Sequence, residues 1–241
     1  MRVILLAAGA ATRLKPLTAE TPKCLLSVGT RSIVSRTVQL MADRGLRRFS
    51  VVDGFCGDKL RAALTHEFPS DWFCFVRNEL YDTTNNAYSL MLARTTEPEA
   101  ILLLDSDVLF DPGVLDRLLT CPHPNRLGVR NRGGIGAEEM KVTVGSNGRI
   151  VTISKHGEPR RALGESIGVH VFSAELAARL FRTLERRQRV EERTDEYYEA
   201  SFQELIEAGE EIYPVSLDEL RSMEVDTPED LARAREIFGQ A

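Results

Sequence analysis

Carboxylates and cations recur along this chain at spacings that suit phosphate chemistry. Asp105-Ser106-Asp107 closes the apolar run Ile101-Leu102-Leu103-Leu104. Two carboxylates at the end of a buried strand need something to bind, and in open α/β sheets ligands sit beyond the carboxyl ends of strands. Hard carboxylate oxygens suit Mg²⁺, which takes one or two of them and completes its shell with phosphate oxygens and water. Asp107 is the first candidate ligand. Asp226, in Met223-Glu224-Val225-Asp226-Thr227-Pro228, is the second, although its place before a helix start equally suits an N-cap. Asp105 and Asp107 are also placed to cap whatever follows them.

Positive charge comes from the N-terminal stretch. Val3-Ile4-Leu5-Leu6-Ala7-Ala8-Gly9 is an apolar run that stops at small residues, and Arg13 and a proline-braced Lys23 follow it. Small side chains let a backbone approach a phosphate chain, and bare N–H groups supply donors. The loop has neither GxGxxG spacing nor the P-loop pattern, so taken alone it is also a plain strand-to-loop turn. Asn85-Asn86, ahead of Ser89, holds one amide more than a helix cap needs, and the extra one could bond a base or substrate. Glu165-Ser166 and Asp195-Glu196-Tyr197-Tyr198-Glu199 could together bind a cationic group by charge and aromatic faces. Each of these alone also suits a helix surface.

The elements that must position these groups alternate between strand and helix patterns. Strands are expected at Val3 to Ala7, Phe49 to Val52, Trp72 to Val76 and Ala100 to Leu104. The first is apolar throughout, as in a parallel sheet covered on both faces. Helices are expected at Ser32 to Arg44, Asp58 to Phe68, Asn85 to Arg94 and Pro112 to Leu119. Beyond about residue 125 the rhythm changes. Met140 to Val144 and Ile150 to Ser154 flank Gly145-Ser146-Asn147-Gly148, a hairpin signal. Strands at Ile167 to Phe172 and Glu211 to Val215 alternate with helices at Ala174 to Arg189 and Glu196 to Ala208. Thr227-Pro228-Glu229-Asp230 opens a last helix with a capping signature. The short connections predict one domain over residues 1–241, with a nucleotide-binding half (1–125) and an acceptor-binding half (126–241) that returns to the metal site.

At 241 residues, 43% hydrophobic and 28% charged, the composition is that of a soluble globular protein. The formal net charge of −5 argues against bulk attraction to nucleic acid or an anionic membrane, and neither is expected as a partner. Cys24, Cys56, Cys74 and Cys121 are scattered and form no CxxC pair, which reads as reduced thiols. The opening apolar run, about eight residues, is too short for a signal peptide or a membrane span. The expected location is the cytoplasm.

Taken in order, Leu6-Ala7-Ala8-Gly9-x-x-Thr12-Arg13-Leu14, Pro16-Leu17-Thr18, Pro22-Lys23, Asp105-x-Asp107 and Glu224-x-Asp226-Thr227-Pro228-Glu229-Asp230 resemble a nucleotidyltransferase family. That family activates phosphorylated small molecules with a nucleoside triphosphate. Asn85-Asn86-x-x-Ser89-Leu90, Gly164-Glu165-Ser166-x-Gly168 and Tyr197-Tyr198-Glu199 are similar to the bacterial phosphocholine and phosphonate cytidylyltransferases within it. The family's loop is usually richer in glycine, and Ala10 and Ala11 suit it where their backbones avoid positive φ.

The resemblance implies a Rossmann-like three-layer α/β fold of the GT-A-like kind, with a mixed, mostly parallel sheet and a smaller mixed acceptor-binding lobe. It implies transfer of CMP from CTP to a small phosphate- or phosphonate-bearing acceptor, with Mg²⁺ held by Asp107 and Asp226. Lys23, Arg13 and Asp107 would carry catalysis. Leu6, Ala7, Ala8, Gly9, Ala10, Thr12, Arg13, Lys23, Asn85, Ser89 and Asp105 would face the nucleotide. Asn86, Glu165, Tyr197 and Glu224 would face the acceptor. UTP in place of CTP and a sugar 1-phosphate acceptor stay open. A GT-A glycosyltransferase shares the strand-end carboxylates, but its donor offers no γ-phosphate for Arg13. A catalytically silent nucleotide-binding subunit is the remaining alternative.

Overall fold

The computed structural model describes residues 1–131 and 135–240. Strand β1 (Arg2–Ala7) leads through the Gly9–Lys23 segment to a two-residue ribbon, β2 (Ser27–Val28) and β3 (Arg31–Ser32). Helix α1 (Ile33–Ala42), β4 (Phe49–Asp53), α2 (Gly57–Glu67) and β5 (Phe73–Arg77) follow. Next come α3 (Asn86–Leu92), β6 (Ile101–Asp105), the short β7 (Val108–Phe110) and α4 (Gly113–Thr120). The second half contains β8 (Arg126–Arg130), β9 (Lys141–Val144), β10 (Ile150–Ser154) and β11 (Gly164–Phe172). It closes with α5 (Ala174–Glu185), α6 (Glu199–Glu207), β12 (Tyr213–Ser216), β13 (Ser222–Glu224) and α7 (Pro228–Phe238). No helix among the described residues is long and apolar enough to cross a membrane.

One nine-stranded mixed sheet runs through both halves, in the order β10-β9-β11-β6-β1-β4-β5. Strands β6, β1, β4 and β5 are mutually parallel. β11 runs antiparallel to β6, β8 and β9, and β12 adds to β8 in parallel. The apolar run of β1 is explained by its central place, because its alternate side chains serve two separate cores. Val3, Leu5 and Ala7 pack with Val38 and Met41 of α1, Leu60 and Leu64 of α2, and Leu115 and Leu118 of α4. Ile4 and Leu6 pack with Leu90 of α3, Leu180 and Leu184 of α5, and Phe202 of α6. Helices therefore cover both faces, giving three layers.

A third, smaller core matters most for the site. Leu14, Leu26, Val28 and Ile33 from the N-terminal segment meet Leu109, Val225, Leu231, Ala234 and Phe238. It fastens the last helix onto the opening loop. Helix α7 starts with a complete capping box: the Thr227 hydroxyl accepts from Asp230 N–H at 3.1 Å, and the Asp230 carboxylate accepts from Thr227 N–H at 2.9 Å.

Several elements depart from the sequence reading. β8 was not anticipated, because Arg126-Leu127-Gly128-Val129-Arg130 offers only two bulky apolar residues. The ribbons β2–β3 and β7–β13 are too short to give a period. The helix expected from Glu196 begins at Glu199, and the strand expected from Glu211 begins at Tyr213. Ala11 adopts the left-handed conformation, with φ 46°. That costs an alanine about 1–2 kcal/mol. The loop holds it there through the Ala11 carbonyl, which accepts from the Thr18 hydroxyl at 2.8 Å and from Leu14 N–H at 3.1 Å.

The two kinds of support should differ in size. Phe202→Ala, in the main core, should cost about 3–5 kcal/mol. Asp230→Ala, which removes only half of a cap, should cost about 1 kcal/mol. Urea unfolding midpoints of the two variants check the ranking.

Candidate active site

Lys23 stands on a single helical turn, Lys23–Leu25, whose ends are closed by Leu25 N–H to the Pro22 carbonyl and Leu26 N–H to the Lys23 carbonyl. Pro22 and Cys24 are buried on either side of it. With both neighbours turned into the protein, the lysine side chain is directed at the carboxyl end of β6. Its Nζ donates to Asp107 Oδ2 at 2.5 Å and to Asp226 Oδ1 at 2.6 Å. Arg13 Nη2 donates to Asp226 Oδ2 at 2.8 Å. Four groups spread over more than 200 residues thus form one charge cluster.

The β7–β13 ribbon sets this spacing. It pairs Glu224 with Val108, and Val225 N–H donates to the Asp107 carbonyl at 3.1 Å. Asp107 and Asp226 therefore emerge side by side. The capping alternative for Asp226 is answered by the chain itself, because Thr227 caps α7 and leaves the Asp226 carboxylate to the cations. Asp107 leads into a strand rather than a helix, and it too keeps its carboxylate for Lys23.

Burial lowers the affinity of Lys23 for its proton, but the carboxylates of Asp107 and Asp226 outweigh it and hold the ammonium above its ordinary range. Burial likewise raises Asp226, and Lys23 and Arg13 bring it below the usual carboxylate range. The two carboxylates converge on a single cation. That donor set fits Mg²⁺, which needs no more than two protein carboxylates when phosphate oxygens complete its shell. Among the described residues no group of three or more His, Cys, Asp or Glu side chains could hold a metal ion.

These groups open into a cleft of about 640 Å³. Leu6, Ala8 and Gly9 of the opening loop line it, as do Arg13 and Lys23. A Cβ built on Gly9 would meet nothing within 4 Å, so the backbone there is open. Asn85, Asn86, Ser89, Asp105, Asp107, Glu165, Tyr197, Glu224 and Asp226 line the rest of it together with residues discussed below. Three residues of the sequence list do not line it. Ala7 points into the core on the other side of the sheet, while Ala10 is half-buried and Thr12 exposed, both apart from the cleft lining.

Both asparagines already have partners. Asn85 Oδ1 accepts from Asn86 N–H at 2.8 Å and its Nδ2 donates to the Asp195 carbonyl at 3.0 Å. Asn86 Oδ1 accepts from Tyr198 N–H at 2.9 Å. The amide beyond the cap thus ties α3 to the segment before α6. Ser89 Oγ accepts from Asn78 at 3.0 Å. Asp105 lies on the cleft floor, where its Oδ2 accepts from the buried Tyr198 hydroxyl at 2.6 Å. Burial, then the Asp107 charge, push the Asp105 carboxyl well up, and the Tyr198 bond opposes them. Gly168 lies against this carboxylate with φ +69°, in an irregular stretch of β11, and a Cβ there would come within 2.7 Å of Asp105 Oδ2.

At the other end, Arg130 Nε donates to Glu165 at 2.9 Å. The Lys155 ammonium sits 4.2 Å from the centre of the Tyr197 ring and donates to its hydroxyl at 3.2 Å. Burial, with Asp107 and Asp226 next, pushes the Glu224 carboxyl up to about 7. Glu199 is buried among these groups, and burial, then Glu224, push it up to about 8 against a backbone hydrogen bond to its carboxyl and the Lys155 charge. Arg130, Lys155, Tyr198 and Glu199 were absent from the sequence list. The run Tyr197-Tyr198-Glu199 was the available signal for two of them, since a buried tyrosine next to an acid departs from a solvated helix face. Arg130 was hidden with its strand, and nothing local marks Lys155.

Raised carboxyls make stability depend on pH. Glu199 keeps its proton in the folded chain up to about pH 8 and loses it near 4.3 when unfolded. The folded state then binds more protons across that window, so stability should fall as pH rises from about 5 to 8. Glu199→Gln should flatten that slope in part, because Asp105 and Glu224 are raised as well. Urea midpoints collected over this range check both statements.

Comparison with known proteins agrees with this geometry. The chain is 34% identical over 122 residues to CMP-5'-(3-aminopropyl)phosphonate synthase of Streptomyces rubellomurinus, a match covering 51% of this chain and 19% of that protein. It is 30% identical over 183 residues to 2-aminoethylphosphonate cytidylyltransferase of Lancefieldella rimae, covering 74% of this chain and 70% of the relative. The chain thus spans most of the second relative but only a small part of the first. In fold it is similar to CTP:phosphocholine cytidylyltransferase from Streptococcus pneumoniae, with a TM-score of 0.79, 21% identity and 98% of each chain covered. Residues 3–189 match the MobA-like NTP transferase domain, and the chain belongs to that family.

Proposed function

We propose that this protein transfers CMP from CTP to a small phosphate- or phosphonate-bearing acceptor and releases pyrophosphate. The observation that carries this reading is the Lys23 ammonium, held between two carboxylates beside the opening loop. An acceptor oxygen attacks the α-phosphorus of CTP, and the bond from that phosphorus to the pyrophosphate oxygen breaks. No covalent intermediate on the protein is required, so the task is positioning and charge neutralisation.

Arg13, whose side chain is 70% exposed at the cleft edge, would take the β- and γ-phosphates. Lys23 would lie between the α-phosphate and the acceptor anion and offset their repulsion. The backbone of Leu6 to Gly9, open at Gly9, would with Asn85 and Ser89 hold base and ribose. Asp107 and Asp226 would hold Mg²⁺, which when bound supplies charge neutralisation at the α-phosphate. The names of the two relatives, both phosphonate-activating cytidylyl enzymes, support CTP and a phosphonate as the pair to try first. The cytoplasm, which keeps thiols such as the four cysteines reduced, is the proposed compartment.

A screen of the common nucleoside triphosphates against phosphonates and phosphomonoesters with Mg²⁺, read as pyrophosphate release, tests the reading. Turnover is expected with CTP. Lys23→Ala should lose about 10²–10³ in rate, the usual effect of removing a transition-state charge partner. Near-normal turnover in that variant, shown folded by circular dichroism, would sink the central claim. Asp107→Ala should lose Mg²⁺-dependent activity.

A further inference from the structure

The chain's own cations hold the oxygens that a metal would need. Lys23 Nζ donates to Asp107 Oδ2 at 2.5 Å and to Asp226 Oδ1 at 2.6 Å, and Arg13 donates to Asp226 Oδ2 at 2.8 Å. Three of the four oxygens of the carboxylate pair are thus engaged. Mg²⁺ takes its ligand oxygens at about 2.0–2.1 Å in near-octahedral geometry. An ion bridging Asp107 and Asp226 would place the Lys23 ammonium in or against its coordination shell. Formally, Lys23 and Arg13 already balance the two carboxylates. A divalent ion added to this set brings two charges in excess. The side chains of Lys23, Asp107 and Asp226 are only 15%, 23% and 26% exposed, so water and salt screen that repulsion poorly.

Ammonium and metal are therefore alternative partners of one carboxylate pair. Which of them holds it depends on whether the ammonium has another acceptor to go to. Lys23 leaving on its own would abandon two adjacent carboxylates uncompensated. Both cations line the cleft, and Arg13 is 70% exposed at its edge. The four-carbon stem of lysine lets its ammonium swing. Triphosphate oxygens offer both cations charge-assisted hydrogen bonds, and a cation that turns to them releases its carboxylate. Resting on the cytidylyl-transfer reading, we infer that Lys23 also gates the metal site: its ammonium keeps a divalent cation off Asp107 and Asp226 until a triphosphate draws it into the cleft. Metal and triphosphate binding are then coupled through one side chain, beyond any direct contact between ion and phosphates. Such coupling is reciprocal, so the metal strengthens nucleotide binding by the same factor as the nucleotide strengthens metal binding.

The test measures binding on the intact protein without turnover. Mn²⁺ serves as the metal, counted by the electron paramagnetic resonance of the free ion, and α,β-methylene-CTP serves as a nucleotide that cannot be transferred. Without nucleotide, Lys23→Met should bind Mn²⁺ about tenfold or more tightly than wild type, a usual size for coupling between sites. Adding Asp107→Asn to that variant should remove the gain. Lys15→Met, which deletes an exposed charge from the same segment, should leave Mn²⁺ affinity unchanged. The urea midpoint of Lys23→Met should rise with Mn²⁺ alone, whereas that of wild type should rise only with Mn²⁺ and the analogue together. A lysine that only binds phosphate would give no gain in nucleotide-free Mn²⁺ affinity, and that result would overturn the gate. An equal gain in Lys15→Met would overturn it as a long-range charge effect. A wild-type midpoint raised as far by Mn²⁺ alone as by both together would overturn it without any variant. In each of these cases analogue binding by wild type leaves the cytidylyl-transfer reading standing. Absence of analogue binding in every arm would overturn both.

Discussion

The structure depends on one ammonium held between two carboxylates. Lys23 Nζ lies 2.5 Å from Asp107 and 2.6 Å from Asp226, with only 15% of the lysine side chain exposed. Two like charges brought side by side repel, and their approach is tolerated here because a cation lies between them. Losing one partner of a partly buried pair typically costs about 3–5 kcal/mol, since the other charge is left uncompensated. Every nearby device serves this contact. The helical turn at Lys23 aims it, the β7–β13 ribbon sets the carboxylates at a common height, and the third core keeps α7 against the opening loop.

Around that contact the cleft is rich in carboxyl groups. Asp105, Glu199 and Glu224 all have their carboxyls pushed up by burial and by one another. An anionic nucleotide entering such a site would be repelled if all three were ionised. Proton retention by buried carboxyls limits the negative charge, while Lys23 and Arg13 supply the positive charge where phosphates would lie. The cleft thus has a cationic end at Lys23 and Arg13 and, beyond it, an end where carboxyls and the cations Arg130 and Lys155 are interleaved.

The frame was readable because β1 and β6 are continuous apolar runs, and such runs belong to strands covered on both faces. The carboxylate pair and both cations that meet it were readable as well, since charged residues at strand ends and after proline have few alternative uses. What escaped the sequence was nonlocal. Arg126 to Arg130 acquires its strand identity from β11 and β12, and no pattern within it reveals them. Asp226 or Thr227 could each have capped α7, and only the pull of Lys23 and Arg13 separates their roles. The surplus asparagine amide looked available for a ligand, yet it binds the backbone before α6 from 112 positions away. Ala11 takes a backbone conformation that its residue type disfavours, imposed by Thr18 and Leu14.

The ribbon joining β7 to β13 also has a consequence for how the chain becomes competent during synthesis. The loop, the lysine and Asp107 leave the ribosome early, and the three layers can begin to assemble around β1. Asp226 and the helix that follows it come more than 100 residues after Asp107. Until they do, Lys23 has one carboxylate instead of two and Leu14 and Leu26 lack the apolar cover of α7. A chain cut before Asp226 would hold a recognisable sheet in which Lys23 meets one carboxylate and the opening loop lacks its cover.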